Sequence, residues 1–167
     1  IVTNNKNIAH ISRSIRNYGS EKKYYNSFRG LNSRMDEIQA AILRYRLKGL
    51  GERNSQRIKI AQYYSSNIKN SSISIPSIPF EGHVAHLYVI RTGSRHALQK
   101  FLLNNNVASD IHYPIPDHLQ LKGMNSTCRN LAQTELLAKE ILSIPCYPEL
   151  SYSEVEYITS ICNQWNN

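Results

Sequence analysis

Met35, Ile38, Ala41, Ile42 and Tyr45 recur at helical spacing. This spacing predicts a helix from about Ser33 to Lys48, entered through the polar turn Gly30-Leu31-Asn32-Ser33. Asn32 or Ser33 is expected to cap it, and Asp36 and Glu37 place negative charge in its first turn. A polar loop feeding a helix N-terminus offers free N–H groups and a favourable dipole to an anion. From spacing alone the plainer reading is a capped core helix without a ligand, and the anion site stays open beside it.

Upstream, Ile1-Val2-Thr3 reads as the end of a strand, and Asn7 to Ile15 as a short helix with Ile8, Ile11 and Ile15 on one face. Glu21 to Arg29 is polar, aromatic and irregular. Downstream, Gly49 and Gly51 predict a break, followed by a long helix from about Arg53 to Ile68 that buries Ile58, Ala61, Tyr64 and Ile68. Asn70 to Pro79 reads as an extended loop with at most a short edge strand. Strands are then predicted over Ala85–Arg91, Val107–Tyr113 and Ile141–Cys146. Helices are expected after Ser94, over Asn130–Lys139, and after the capping box Ser151-Tyr152-Ser153-Glu154. Val155, Ile158, Ile161, Cys162 and Trp165 form one apolar face of the last helix. Alternating strands and helices make the second half a small α/β or α+β layer structure.

The chain has 167 residues, 41% of them hydrophobic, enough for a core. No apolar run approaches a membrane span, and no signal peptide is expected. The chain opens without Met in what looks like mid-strand, so a fragment missing its N-terminal part is expected. Cys128, Cys146 and Cys162 are three, far apart, and form no C-x-x-C pair. Free thiols in a reducing cytoplasm are therefore expected, with no zinc site. The net charge of +8 suits an anionic partner. The cations are dispersed and no nucleic-acid motif accompanies them, so a phosphorylated small ligand is expected rather than nucleic acid.

His112-Tyr113-Pro114-Ile115-Pro116-Asp117-His118 is the densest polar constellation, stiffened by two prolines at a strand end. Hydrogen bonding to a polar ligand, acid–base work and two structurally satisfied histidines all remain open. The spacing matches no standard metal pattern. His83 and His86 alternate with apolar residues on a predicted strand, and His86 reads as structural. Arg34 can pair with Asp36 or Glu37, or meet a ligand carboxylate or phosphate. There is no P-loop, dinucleotide fingerprint or Gly-x-Ser-x-Gly elbow.

Taken together, Arg16 to Tyr24, Gly30 to Leu43, Arg57 to Tyr63, the His112-Tyr113-Pro114 block with Pro116 and His118, and Leu142 to Pro145 with Pro148 resemble the DegT/DnrJ/StrS family. Its members are PLP-dependent nucleotide-sugar aminotransferases, and the Tyr-Gly-Ser and His-Tyr-Pro forms look most like those acting on dTDP-linked keto-6-deoxyhexoses. The resemblance implies an α/β fold, the C-terminal part of a type I, aspartate-aminotransferase-like enzyme. Residues 1–30 would be a remnant of the large PLP domain and active-site loop, 31–70 linking helices, and 71–167 a small C-terminal α/β domain. It implies pyridoxal 5'-phosphate, a glutamate donor, a nucleotide-sugar substrate, a cytoplasmic homodimer, and no nucleic-acid or membrane partner. Asn32 would reach the cofactor phosphate of the other subunit, with Arg34 beside it. His112, Tyr113 and His118, with Tyr18 and Tyr25 as weaker candidates, would hold substrate. The Schiff-base lysine and the acid facing the pyridine nitrogen are implied upstream of Ile1, so the chain by itself would be inactive. The alternative is a non-catalytic binding or dimerisation module whose basic surface takes nucleotides.

Overall fold

A computed structural model describes residues 1–77, 81–120 and 131–166. Expectations that involve Pro79, Cys128 and Asn130 lie outside these residues. The chain forms two compact units, Ile1–Lys48 and Gly49–Asn167. This division falls inside the span expected to be linking helices.

In the first unit, α1 (Lys6–Ile15) is capped by Asn5, whose Oδ1 accepts the Asn7 and Ile8 N–H groups at 2.9 and 3.2 Å. Residues 1–3 are irregular rather than a strand, because among the described residues no backbone pairs with them as a strand neighbour. The irregular 21–29 segment is a small hairpin, β1 (Ser20–Lys22) and β2 (Tyr25–Asn26), turning through Tyr24 at φ 73°. The chain then runs back antiparallel to the end of α1. Leu31 N–H donates to Ile15 O at 2.9 Å, Ser33 N–H to Arg16 O at 2.9 Å, and Tyr18 N–H to Leu31 O at 3.0 Å. These bonds keep 31–33 extended, so α2 spans only Glu37–Leu47, with Asp36 at its N-cap and no side-chain cap bond. The expected cap at Asn32 or Ser33 is therefore not formed. Nor does α2 bury its apolar stripe: Ile38, Ile42 and Tyr45 are all more than half exposed.

The return path depends on two glycines. A Cβ on Gly30 would stand 1.9 Å from Gly19 N and 2.6 Å from Ile15 O. One on Gly19, at φ +73°, would stand 1.8 Å from Phe28 O. Only hydrogen at both positions lets the two backbones touch.

The second unit begins with α3 (Leu50–Asn67), which runs through Gly51, so the expected break shrinks to Lys48-Gly49. Its buried face is Ile60, Ala61 and Tyr64, with Ile68 just beyond; Ile58 is only half-buried. Two strands pair antiparallel, β3 (Tyr88–Arg91) and β4 (Ile141–Ile144), in register Tyr88↔Ile144 through Arg91↔Ile141. Ser74 bridges to Arg91 and Asp110 to Ser143, one on each strand. The predicted strand over 107–113 is reduced to that single bridge, and the one over 85–91 starts only at Tyr88. Ala85, buried at φ 48°, cannot continue a strand.

Around the sheet lie α4 (Arg95–Asn104), the short α5 (Asp117–Gln120), α6 (Ala132–Glu140) and α7 (Tyr152–Gln164). Ser94 sits at the α4 N-cap but its side chain makes no cap bond. Tyr88, Ile90, Leu142 and Ile144 from the strands meet Tyr64, Leu98, Leu102, Val155, Ile158 and Cys162 in one core. Each large side chain so buried contributes about 1.5–3 kcal/mol. Polar clasps close it: Tyr64 Oη donates to Pro145 O at 2.9 Å, and Asn70 Nδ2 donates to Cys162 O and Trp165 O.

Candidate functional site

The residues expected to carry function fall in two places, one in each unit. In the first unit Asn17 and Asn32 face each other across an antiparallel bridge. Arg34 donates from Nε to Asn32 Oδ1 at 2.9 Å and from Nη1 to Asn17 Oδ1 at 3.4 Å. Its guanidinium lies 5.7 Å from the centre of the Tyr18 ring. It thus pairs with two amides and an aromatic face, not with Asp36 or Glu37. Asn32 stands five residues ahead of α2, so a helix N-terminus is not what it offers an anion.

Positive charge is offered nearby, at a wall that Asn32 itself does not line. A cavity of about 750 Å³ is lined by Arg13, Arg16 and Arg34, together with Ser12, Ser33 and Gln39, and no carboxylate is on its wall. Arg13 and Arg16 come from the end of α1 and just beyond it. Three guanidiniums sharing one cavity repel one another, and a doubly charged anion offsets that repulsion. The donors present are hydroxyls, an amide and guanidiniums, the chemistry that holds a phosphate. Tyr25 is set apart: it is exposed on the hairpin, with Lys22 Nζ 5.6 Å from its ring.

In the second unit His112 hangs beside β4. Its Nδ1 pairs with Ser143 Oγ at 3.0 Å, and its Nε2 lies 3.9 Å from Asp110 Oδ2. The backbone bridge between Asp110 and Ser143 places both partners. His112 and Tyr113 line a cavity of about 670 Å³ with Pro116, Asp117, Val89 and Leu137. Such a wall, apolar with a few polar tips, suits a sugar or a base. Tyr113 leaves most of its ring exposed for stacking. His118 is not on this wall. Its Nε2 meets Glu135 Oε1 at 3.1 Å, tying α5 to α6. His83 also turns inward on its own loop, accepting the Ala85 N–H at Nδ1, at 3.0 Å. Among the described residues no group of three His, Cys, Asp or Glu side chains is placed to hold a metal ion.

Sequence reasoning passed over Arg13, Arg16, Asn17, Ser143 and Glu135. Two signals were available: the i, i+3 spacing of the two arginines at the end of a predicted helix, and the place of Arg16 and Asn17 in the Arg16 to Tyr24 block. Ser143 lies in the Leu142 to Pro145 block and Glu135 in no motif, and neither position points to its partner, because the partners lie 31 and 17 residues away.

The model of the DegT/DnrJ/EryC1/StrS aminotransferase family matches residues 1–163. The dTDP-3-amino-3,6-dideoxy-alpha-D-galactopyranose transaminase of Aneurinibacillus thermoaerophilus is 40% identical over 166 residues, 99% of this chain and 46% of that protein. Among solved structures, S. venezuelae DesV in complex with a ketimine intermediate superposes with a TM-score of 0.89 at 33% identity, over 98% of this chain and 45% of that one. NtdA of Bacillus subtilis, with bound cofactor PMP, gives a TM-score of 0.79 at 25% identity, over 98% of this chain and 41% of that one. The chain therefore spans somewhat under half the length of the relatives it matches.

Proposed function

The chain belongs to the DegT/DnrJ/EryC1/StrS aminotransferase family, and from that premise we propose that the whole protein is a sugar-nucleotide aminotransferase. It moves an amino group from glutamate to the keto carbon of a deoxyhexose linked to dTDP or a similar nucleotide. Pyridoxal phosphate, when bound, supplies the electron sink for that exchange. The observation that supports the cofactor part is the carboxylate-free cavity with the cations Arg13 and Arg16 on its wall, joined to Asn32 and Asn17 by Arg34, whose donors are engaged with those two amides. In this reading the chain acts in a cytoplasmic homodimer, and Asn32 donates to the cofactor phosphate held by the partner subunit.

His112 and Tyr113 are assigned to the substrate. Ser143 holds the His112 ring from one side, so its Nε2 edge is left toward Asp110 and the ligand. Tyr113 offers a hydroxyl donor and a ring face. His118 acts at one remove, keeping the loop that carries His112 and Tyr113 pinned to α6 through Glu135. Tyr18 supports Arg34 rather than the sugar.

The test is turnover of the whole protein with PLP, glutamate and a panel of dTDP- and UDP-linked keto sugars. Formation of 2-oxoglutarate with a matching amino sugar by mass spectrometry is the expected result. A protein that retains PLP yet aminates no nucleotide-linked sugar sinks the substrate assignment. One that binds nucleotide but no PLP favours the binding-module alternative.

A further inference from the structure

An asparagine amide has two ends, and at Asn32 only one is committed. Its Oδ1 accepts the Arg34 Nε–H at 2.9 Å, while no acceptor for its Nδ2 is found among the described residues. With the oxygen end held by a cation, the NH₂ end that remains offers only donors. An acceptor-only ligand such as a phosphate is what that end can serve. Arg34 is in turn held on two further sides, by Asn17 Oδ1 at 3.4 Å and by the face of Tyr18 at 5.7 Å. Asn17 and Asn32 are fixed to each other by the backbone bridge between them. The guanidinium is thus built into the loop as a clamp, with its Nε–H, one of five donors in a rigid planar fork, spent on Asn32.

We infer that Arg34 is a positioning residue, which fixes the Asn32 amide so that Nδ2 rather than Oδ1 faces the cofactor phosphate. This rests on the reading that Asn32 meets that phosphate. It changes the role of Arg34, from a cation binding the phosphate to one that acts through its neighbour. Without the clamp the amide is free to present its oxygen, which repels a phosphate oxygen. A lysine at the same place keeps the positive charge but cannot reproduce the planar Nε–H geometry.

The experiment uses the whole protein and pyridoxamine phosphate, which binds without a covalent link, with pyridoxamine as the phosphate-free control. Dissociation constants are measured for the native protein, Arg34→Lys, Asn32→Ala and the double variant. Arg34→Lys is expected to weaken pyridoxamine phosphate about tenfold, close to the loss from Asn32→Ala. The double variant should be no weaker than Asn32→Ala alone, because the arginine acts only through the amide. Pyridoxamine should bind all four proteins alike. Native-like binding by Arg34→Lys overturns the inference, since charge alone would then suffice. Additive losses overturn it too, since Arg34 would then touch the ligand independently. A parallel loss of pyridoxamine binding does the same, by showing a general loss of the fold. If Asn32→Ala itself leaves pyridoxamine phosphate unaffected, the underlying reading of Asn32 fails and takes the inference with it.

Discussion

At the scale of single residues, the polar groups that matter are those with one partner and no substitute. Tyr64 is fully buried, and burial pushes its hydroxyl pKa up, so it stays a donor to Pro145 O at 2.9 Å. Tyr64→Phe leaves that carbonyl without its donor and should cost about 1–2 kcal/mol in urea unfolding. Cys146 and Cys162 are buried among apolar neighbours, which raises their thiols to about 11 and about 12. Both stay protonated at pH 8 and should resist alkylation until the chain unfolds; peptide mass spectrometry reads this site by site. The sequence showed that these cysteines form no metal motif, but not their burial. At Asn32 the residue type was legible and its surroundings were not. Its partner Arg34 is two residues away, yet the choice between Asn32 and the nearby acids depended on the bridge to Asn17.

At the scale of elements, caps and glycines set the boundaries. The Ser151 capping box was readable from four residues and forms as expected, with Ser151 N–H and Oγ both 2.7 Å from Glu154 Oε2. These bonds hold the Glu154 carboxyl below its usual range. A carboxyl lowered in the folded state adds stability above its unfolded pKa, and that stability is lost as pH falls through the folded value. Glu154→Gln should therefore lower the denaturation midpoint at pH 7, and the gap to the native chain should close on titration to pH 3. The start of α2 was misplaced for a physical reason: three backbone bonds to the end of α1 keep 31–33 extended. That pairing needs the Gly19–Gly30 contact. Gly30→Ala should displace Asn32 and weaken pyridoxamine phosphate binding of the whole protein at least about tenfold. Gly51→Ala, whose Cβ meets nothing within 4 Å, should leave binding unchanged and stabilise α3 by about 0.5–1 kcal/mol.

At the scale of the whole molecule, the two units differ in what holds them. The second has a continuous core from three helices and both strands. In the first only Ser14 and Gly19 are buried, and α2 buries none of its residues. Backbone hydrogen bonds and glycine contacts hold it instead of apolar packing. Amide exchange in the 167-residue chain should follow that difference. Amides of α3, β3, β4 and α7 should exchange slowest, and those of α2 within the dead time of a manual experiment. Slow exchange in α2 would show that its apolar stripe is covered in solution. Among the described residues no helix is long and apolar enough to cross a membrane.

The sequence by itself determined that every described helix but the short α5 exists, the capping box and the buried face of α7, and its motif blocks carried the resemblance to the family. The helices, the box and the face rest on periodicity and on motifs a few residues long, which physical chemistry reads locally; the family rests on resemblance alone. Only the tertiary structure decided where α2 begins, that its apolar stripe stays exposed, and that His118 turns to Glu135 while His112 and Tyr113 face a cavity. It also decided that Arg34 clamps Asn32 instead of pairing with an acid. Each of those outcomes is a competition between partners brought together by chain closure, and a linear pattern does not say which partner arrives.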